Sequence, residues 1–310
     1  MITRADVDEA AARIAGLVRR TPVIAADRGS YAGNVWLKCE FMQHTGTFKA
    51  RGAFNRVLAC RERGELKEDV GIVVASGGNA GLANAYAAAQ AGVPATVFVP
   101  ETAPAMKVKK LRESGASVIQ RGAEYAIAYD AAVAYAAESG AVYCHAYDQP
   151  EIAAAAGTVG SELLEQLDGV DTVLVAVGGG GLMAGIAAAV EGLANVVGVE
   201  PATAPTLRAA LEAGAPVDVA VAGIAADSLG ARRIGQIGFE VAVRTGVKSL
   251  LVSDDEIVAA RSLLWAEYRM VVEHGAAAAY AALTSGAYVP AEGERVAVIL
   301  CGANTDPSTV

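Results

Sequence analysis

Residues 172–190 read Thr172-Val173-Leu174-Val175-Ala176-Val177-Gly178-Gly179-Gly180-Gly181-Leu182-Met183-Ala184-Gly185-Ile186-Ala187-Ala188-Ala189-Val190. An uncharged apolar run ends in four glycines, and an alanine-rich helical run follows. A strand apolar throughout is a strand buried on both faces, as in a parallel sheet covered by helices. Four glycines at the mouth of a helix expose backbone N–H groups with no side chain in the way. That geometry suits a phosphate monoester. Close helix–strand contact is the other reason for glycine here, and it rarely needs four.

The same strand-then-helix pattern repeats outward from this stretch. Gly71 to Ala75 precedes a helix from about Ala80 to Ala91, and Ala95 to Val99 precedes one through Met106 and Leu111. Ser117-Val118-Ile119 precedes a helix through Tyr129 and Ala136; Asn195 to Val199 and Arg295 to Leu300 are further strands. The pattern predicts an α/β fold with parallel sheets flanked by helices. The first helix has Thr3 as its cap and a stripe of Val7, Ala11, Ile14 and Val18 at helical spacing. The βα units between about 48 and 140 are expected to form a smaller lobe, with 1–47 and 141–310 making the larger one.

Three more segments carry chemistry. Ser76-Gly77-Gly78-Asn79-Ala80-Gly81 is a second glycine loop between a strand and a helix, where amides favour an anion. Thr45-Gly46-Thr47-Phe48-Lys49-Ala50-Arg51-Gly52 sets a lysine between the strand-like Val35-Trp36-Leu37 and a helical run. A lysine aimed into a cleft there loses water, its pKa falls, and it becomes a nucleophile toward carbonyl carbon. Val298-Ile299-Leu300 leads into Cys301, a small polar residue at the carboxyl edge of a strand, where ligand crevices form. A dinucleotide fingerprint is the rival reading of the tetraglycine loop. Gly179, Gly181 and Ala184 satisfy its spacing and Glu200 follows about twenty residues on, but that reading leaves the lysine segment and the first loop without a role.

Composition removes several classes. The formal charge is −9 with no Lys/Arg block, which argues against a nucleic-acid partner. The uncharged stretches 70–100 and 172–190 are long enough to suggest membrane spans. Glycines, asparagines and Pro94 break the first and four glycines break the second, so no membrane partner is expected. Charges in residues 2–20 spoil a signal peptide. Cys39, Cys60, Cys144 and Cys301 fall at no zinc-type spacing, and a cytoplasmic protein with reduced thiols is expected. No regulatory domain is expected after Cys301.

A reactive lysine, a phosphate loop and a polar strand end are the parts needed to hold pyridoxal phosphate. The lysine forms the Schiff base and the glycines hold the phosphate, while Asn79 reaches the ring hydroxyl and Cys301 the ring nitrogen. On these residues the chain resembles the fold-type II (tryptophan synthase β-like) pyridoxal-phosphate enzymes, and within them the serine/threonine dehydratases. The family's Ser-Phe-Lys-x-Arg-Gly reads Thr47-Phe48-Lys49-Ala50-Arg51-Gly52, its serine/glycine/asparagine loop reads Ser76 to Ala80, and its tetraglycine loop is intact. Asp227 to Ala231 and Glu273-His274-Gly275-Ala276 also resemble family segments.

The resemblance implies β-elimination from L-serine or L-threonine to a 2-oxo acid and ammonia. Lys49 would act as base and Ser76 would assist protonation. Ser76, Gly77, Asn79 and Ala80 would bind the amino-acid substrate, and Phe48 would pack on the ring. It also implies a homodimer, and a monovalent or divalent cation held by Glu200 with the carbonyls of Ala204 and Leu229. Two positions depart from the common pattern. Ala80 stands where many relatives have histidine, and Gly77 where many have serine, which enlarges the space near the substrate. A neutral thiol at Cys301 suits prompt loss of hydroxide over transamination. The rivals are a β-replacement synthase, a serine racemase and, from another class, a non-catalytic ligand-binding protein.

Overall fold

The computed structural model describes residues 1–27 and 29–310. In chain order its main elements are α1 (Arg4–Ile14), β1 (Val23–Ala25), β2 (Asn34–Lys38), α2 (Lys49–Glu62), β3 (Ile72–Ala75), α3 (Asn79–Ala91) and β4 (Ala95–Val99). Then come α4 (Ala105–Glu113), β5 (Ser117–Gln120), α5 (Tyr125–Ser139), β6 (Val142–Cys144), α6 (Pro150–Gln166), β7 (Thr172–Ala176) and α7 (Gly181–Ala189). The chain closes with β8 (Asn195–Pro201), α8 (Thr206–Ala213), α9 (Gln236–Thr245), β9 (Lys248–Val252), α10 (Asp254–Tyr268), α11 (His274–Thr284) and β10 (Arg295–Ile299).

Two sheets result. One has six strands in the order β1-β2-β10-β7-β8-β9; the other has four, β5-β4-β3-β6. Every pairing is parallel except β1 with β2. The apolar runs behave as their composition demands: every residue of β3, β4 and β7 is buried, whereas the edge strand β5 is mostly exposed. Residues 70–100 and 172–190 are strand, loop and helix, and no helix among the described residues is long and apolar enough to cross a membrane.

Two expectations change. The first helix ends at Ile14, so Val18 lies beyond it, and Ala10 takes the buried position expected of Ala11. Strand β6, at residues 142–144, pairs with β3, so the four-stranded sheet runs past residue 140. A strand of three residues is too short to show a period.

The helices that cover the six-stranded sheet are thin. In α11 every residue from Gly275 to Leu283 is buried, and most are alanine. Helices α6 and α7 cross glycine on glycine: a Cβ on Gly185 would lie 2.4 Å from the Gly157 nitrogen, and one on Gly157 would lie 2.5 Å from the Gly185 carbonyl. That close crossing holds α7, and the glycine loop ahead of it, tight against the core.

A buried ionic cluster fixes the start of α2. Arg51 is fully buried and donates to both Glu40 oxygens at 2.7 and 2.9 Å, to Glu162 at 2.7 Å and to Thr158 at 3.0 Å. Lys38 reaches Glu162 at 2.5 Å, the Thr21 carbonyl at 2.9 Å and Gln166 at 2.9 Å. The cluster therefore joins β2, α2 and α6. Burial pushes the Glu40 carboxyl up, but Arg51 outweighs it and holds the group below its ordinary value. Its contribution to stability is present above the ordinary carboxylate range and is lost as pH falls through the lowered value. Arg51→Met leaves the buried Glu40 carboxylate without its cation and Glu162 with Lys38 alone, and should cost about 3–5 kcal/mol in urea unfolding. A loss under about 1 kcal/mol would show that the cluster does not brace the fold.

Candidate active site

Lys49 is the first residue of α2, and the segment ahead of it is tacked to the end of β10. Thr47 bridges Gly302, the Phe48 N–H donates to the Cys301 carbonyl at 3.1 Å, and the Thr47 hydroxyl donates to the same carbonyl at 3.2 Å. The lysine Nζ donates to the Ala146 carbonyl at 2.6 Å and lies 4.9 Å from the centre of the Phe48 ring. Loss of water lowers the amine to about 8, against the opposing pull of Cys301 and Glu273. At that value half the amine is free base at mildly alkaline pH.

A cavity of about 70 Å³ collects the residues that were far apart in the chain. Phe48, Lys49, Asn79, Gly178 to Gly181, Leu229 and Cys301 all line it. The four glycines have a steric cause within the protein. A Cβ on Gly179 would lie 2.4 Å from the Tyr147 ring, one on Gly180 2.7 Å from Ile234, one on Gly181 2.6 Å from the Tyr147 carbonyl, and one on Gly178 3.1 Å from Leu229. Close contact therefore explains all four, contrary to the expectation that it rarely would. The case for an anion rests on the amides. The N–H groups of Gly179 to Met183 have no hydrogen-bond partner among the described residues, and they lie at the N-terminus of α7.

The second loop offers a smaller set of the same kind. Gly77, Asn79 and Ala80 have unpartnered N–H groups among the described residues, and the Gly78 N–H goes to the Ser76 hydroxyl at 3.3 Å. Asn79 opens α3. Its amide nitrogen donates to Glu273 at 2.9 and 3.0 Å, and its oxygen accepts from the Asn304 side chain at 2.7 Å. The orientation of that amide is thereby set. The Asn304 N–H also donates to Glu273, at 2.8 Å. Burial raises the Glu273 carboxyl, with Asn79 pulling the other way. Cys301 is buried at the end of β10, and burial pushes its thiol up to about 12, so it is neutral.

Glu273, Asn304, Tyr147 and Ser228 belong to this site and were not singled out from sequence. Glu273 stood in a family-like segment, and an acidic residue at a helix cap reads as ordinary capping. Ser228 likewise stood in the family-like segment Asp227 to Ala231, whereas Tyr147 and Asn304 sit on loops with no period or motif to mark them.

Glu200 lies elsewhere in role. It is fully buried, and its two oxygens accept from the Leu207 N–H at 2.6 Å, the Arg208 N–H at 2.9 Å, the Ser249 hydroxyl at 2.7 Å and the Thr206 hydroxyl at 3.3 Å. It closes the N-terminus of α8, so it is neither a ribose ligand nor a solvated carboxylate. The Ala204 carbonyl accepts the Thr206 N–H at 3.1 Å, and Leu229 instead lines the cavity beside Gly178. Among the described residues no three of His, Cys, Asp and Glu gather as a metal cluster. Protein donors reach both Glu200 oxygens.

Comparison with known proteins gives one family and several activities within it. The family described as "Pyridoxal-phosphate dependent enzyme" matches residues 14–302. An L-threonine ammonia-lyase of Thermotoga maritima is 34% identical over 315 residues, covering 100% of this chain and 77% of the relative. A phenylserine dehydratase of Ralstonia pickettii is 38% identical over 305 residues, covering 96% and 92%. A solved threonine deaminase from T.th. superposes with a TM-score of 0.90 at 34% identity, over 98% of this chain and 99% of that one.

The free-base fraction of Lys49 is open to direct measurement. Condensation of the cofactor-free chain with pyridoxal 5′-phosphate should speed up with pH, reach half its limit near 8 and level off above it, followed by violet absorbance in stopped flow. A rate still climbing toward 10.5 would mark an ordinary solvated amine.

Proposed function

Because the chain belongs to the family of pyridoxal-phosphate dependent enzymes, we propose that it eliminates the β-hydroxyl of L-serine or L-threonine and releases a 2-oxo acid and ammonia. The observation that carries this reading is a lysine amine of lowered pKa in one cavity with the unpartnered amides of Gly179 to Leu182 and a neutral thiol. Pyridoxal phosphate, when bound, supplies the electron sink that acidifies the substrate's Cα–H bond.

The chain's residues do the rest. The amides of Gly179 to Met183 hold the phosphate. Those of Gly77, Asn79 and Ala80 meet the substrate carboxylate with dipoles already in place. Lys49, near neutrality as a base, accepts the Cα proton. Asn79, held by Glu273 and Asn304, orients the ring by its hydroxyl. Cys301 keeps its proton and so gives the ring nitrogen no anionic partner, which favours immediate loss of hydroxide over transamination. The Ser76 hydroxyl proton has no acceptor among the described residues, which leaves it free to act as a local proton source. The lobe built on the four-stranded sheet brings the carboxylate loop, and the lobe built on the six-stranded sheet brings the phosphate loop.

Gly77 offers no side-chain acid for a second face of the substrate, which favours elimination over racemisation. A threonine ammonia-lyase and a threonine deaminase among the relatives support the same choice, while serine racemases of maize and Dictyostelium discoideum share the fold at TM-scores of 0.91 and 0.89 and keep racemisation as the second reading. Purified protein should absorb in the violet and form oxo acid from L-serine or L-threonine. Lys49→Ala should abolish the absorbance and cut turnover about 10²–10⁴-fold. A colourless chain that stays inert after added cofactor would defeat the reading.

A further inference from the structure

Gly77 and Gly78 are glycines whose missing side chains the protein itself does not explain. Neither has a positive φ; a Cβ on Gly77 would touch only Val99, at 3.5 Å, and one on Gly78 would meet nothing within 4 Å. Gly81, three residues on, is the contrast: a Cβ there would lie 2.0 Å from the Ser76 carbonyl. Bare backbone beside open space is room kept for something outside the chain.

That space is a cavity of about 510 Å³ sharing Asn79, Ser228 and Glu273 with the Lys49 cavity. The smaller cavity holds only about 70 Å³, and the larger one beside it is where the room for a substituent on the substrate lies. Leu82, Pro104 and Met106 make an apolar wall there, and Met106 is 62% exposed at the rim. The charges around it offset one another: Lys107 and Lys110 stand against Asp227, Glu273 and Asp306. No excess positive charge is present to select an acidic group, and the apolar wall is the distinguishing feature.

We infer that this vestibule seats the substrate's β-substituent, and that the preferred 3-hydroxy amino acid bears a bulky apolar group, above all an aromatic ring, on its hydroxyl-bearing carbon. The inference rests on the elimination reading above. The reaction is unchanged and balanced. The Cα–H and Cβ–OH bonds break and water leaves. One water then returns to hydrolyse the imine, so amino acid becomes 2-oxo acid and ammonia with no oxidant. Serine and threonine place only hydrogen or methyl in the vestibule. A ring would cover the apolar wall, and that burial raises kcat/KM wherever it persists in the transition state.

The test is oxo-acid release by the cofactor-loaded enzyme from L-serine, L-threonine, L-3-phenylserine and 3-hydroxyaspartate. The expected result is kcat/KM for phenylserine about tenfold or more above that for serine. Met106→Asp, a change at an exposed position, should shrink that ratio at least threefold. Turnover of serine or threonine with no gain for phenylserine overturns the inference and leaves the elimination reading standing. A preference for 3-hydroxyaspartate overturns it by assigning the vestibule to Lys107 and Lys110. A ratio unmoved by Met106→Asp overturns the location. No oxo acid from any of the four defeats the elimination reading, and the inference with it.

Discussion

The placement of Lys49 depends on the buried guanidinium of Arg51. Two residues apart on a helix means about 200° of rotation, so the two side chains leave α2 on opposite sides. Arg51 is clamped between Glu40 after β2 and Glu162 on α6, while Lys49 faces the cavity. The helix cannot roll without breaking several charge-assisted bonds in a medium that cannot replace them. A short lysine tether could not otherwise keep its amine in so small a space, away from water. The lowered basicity of Lys49 is thus a consequence of how its helix is seated.

Around that fixed point the two sheets each supply one glycine loop with free amides. The tetraglycine loop follows β7 in the six-stranded sheet, and the Ser76–Ala80 loop follows β3 in the four-stranded one. Both use the same physics, a strand feeding a helix whose first amides stay free. Their difference lies in what surrounds them. Tyr147, Leu229 and Ile234 press on Gly178 to Gly181, whereas Gly77 and Gly78 open onto the vestibule. One loop is shaped by its own protein and the other leaves room for a ligand.

Much of this was legible beforehand. Continuous apolar strands such as Thr172 to Val177 declare burial on both faces, and alternation with helices declares parallel pairing. Lys49 and both loops stood out because each sits between a strand and a helix, and Cys301 because it follows the carboxyl end of a strand. What was hidden depends on distance along the chain. Glu273, Asn304 and Asn79 meet through three separate loops, and no local period records that meeting. Strand β6 was too short to declare its sheet. Glu200 was expected to meet a cation, and sequence could not show that it also caps a helix 6–8 residues on, because an acidic residue after a strand looks the same in either role.

The amide of Asn79 belongs to the four-stranded lobe, and both of its partners belong to the other. Few other groups around the cavity cross that seam as directly. A molecule gripped by both glycine loops adds a second crossing, and each crossing makes separation of the lobes more costly. Calorimetry of the empty chain should then record two overlapping thermal events, one per lobe. With the crevice filled they should merge into a single sharper peak at higher temperature, because neither half can melt before the other lets go.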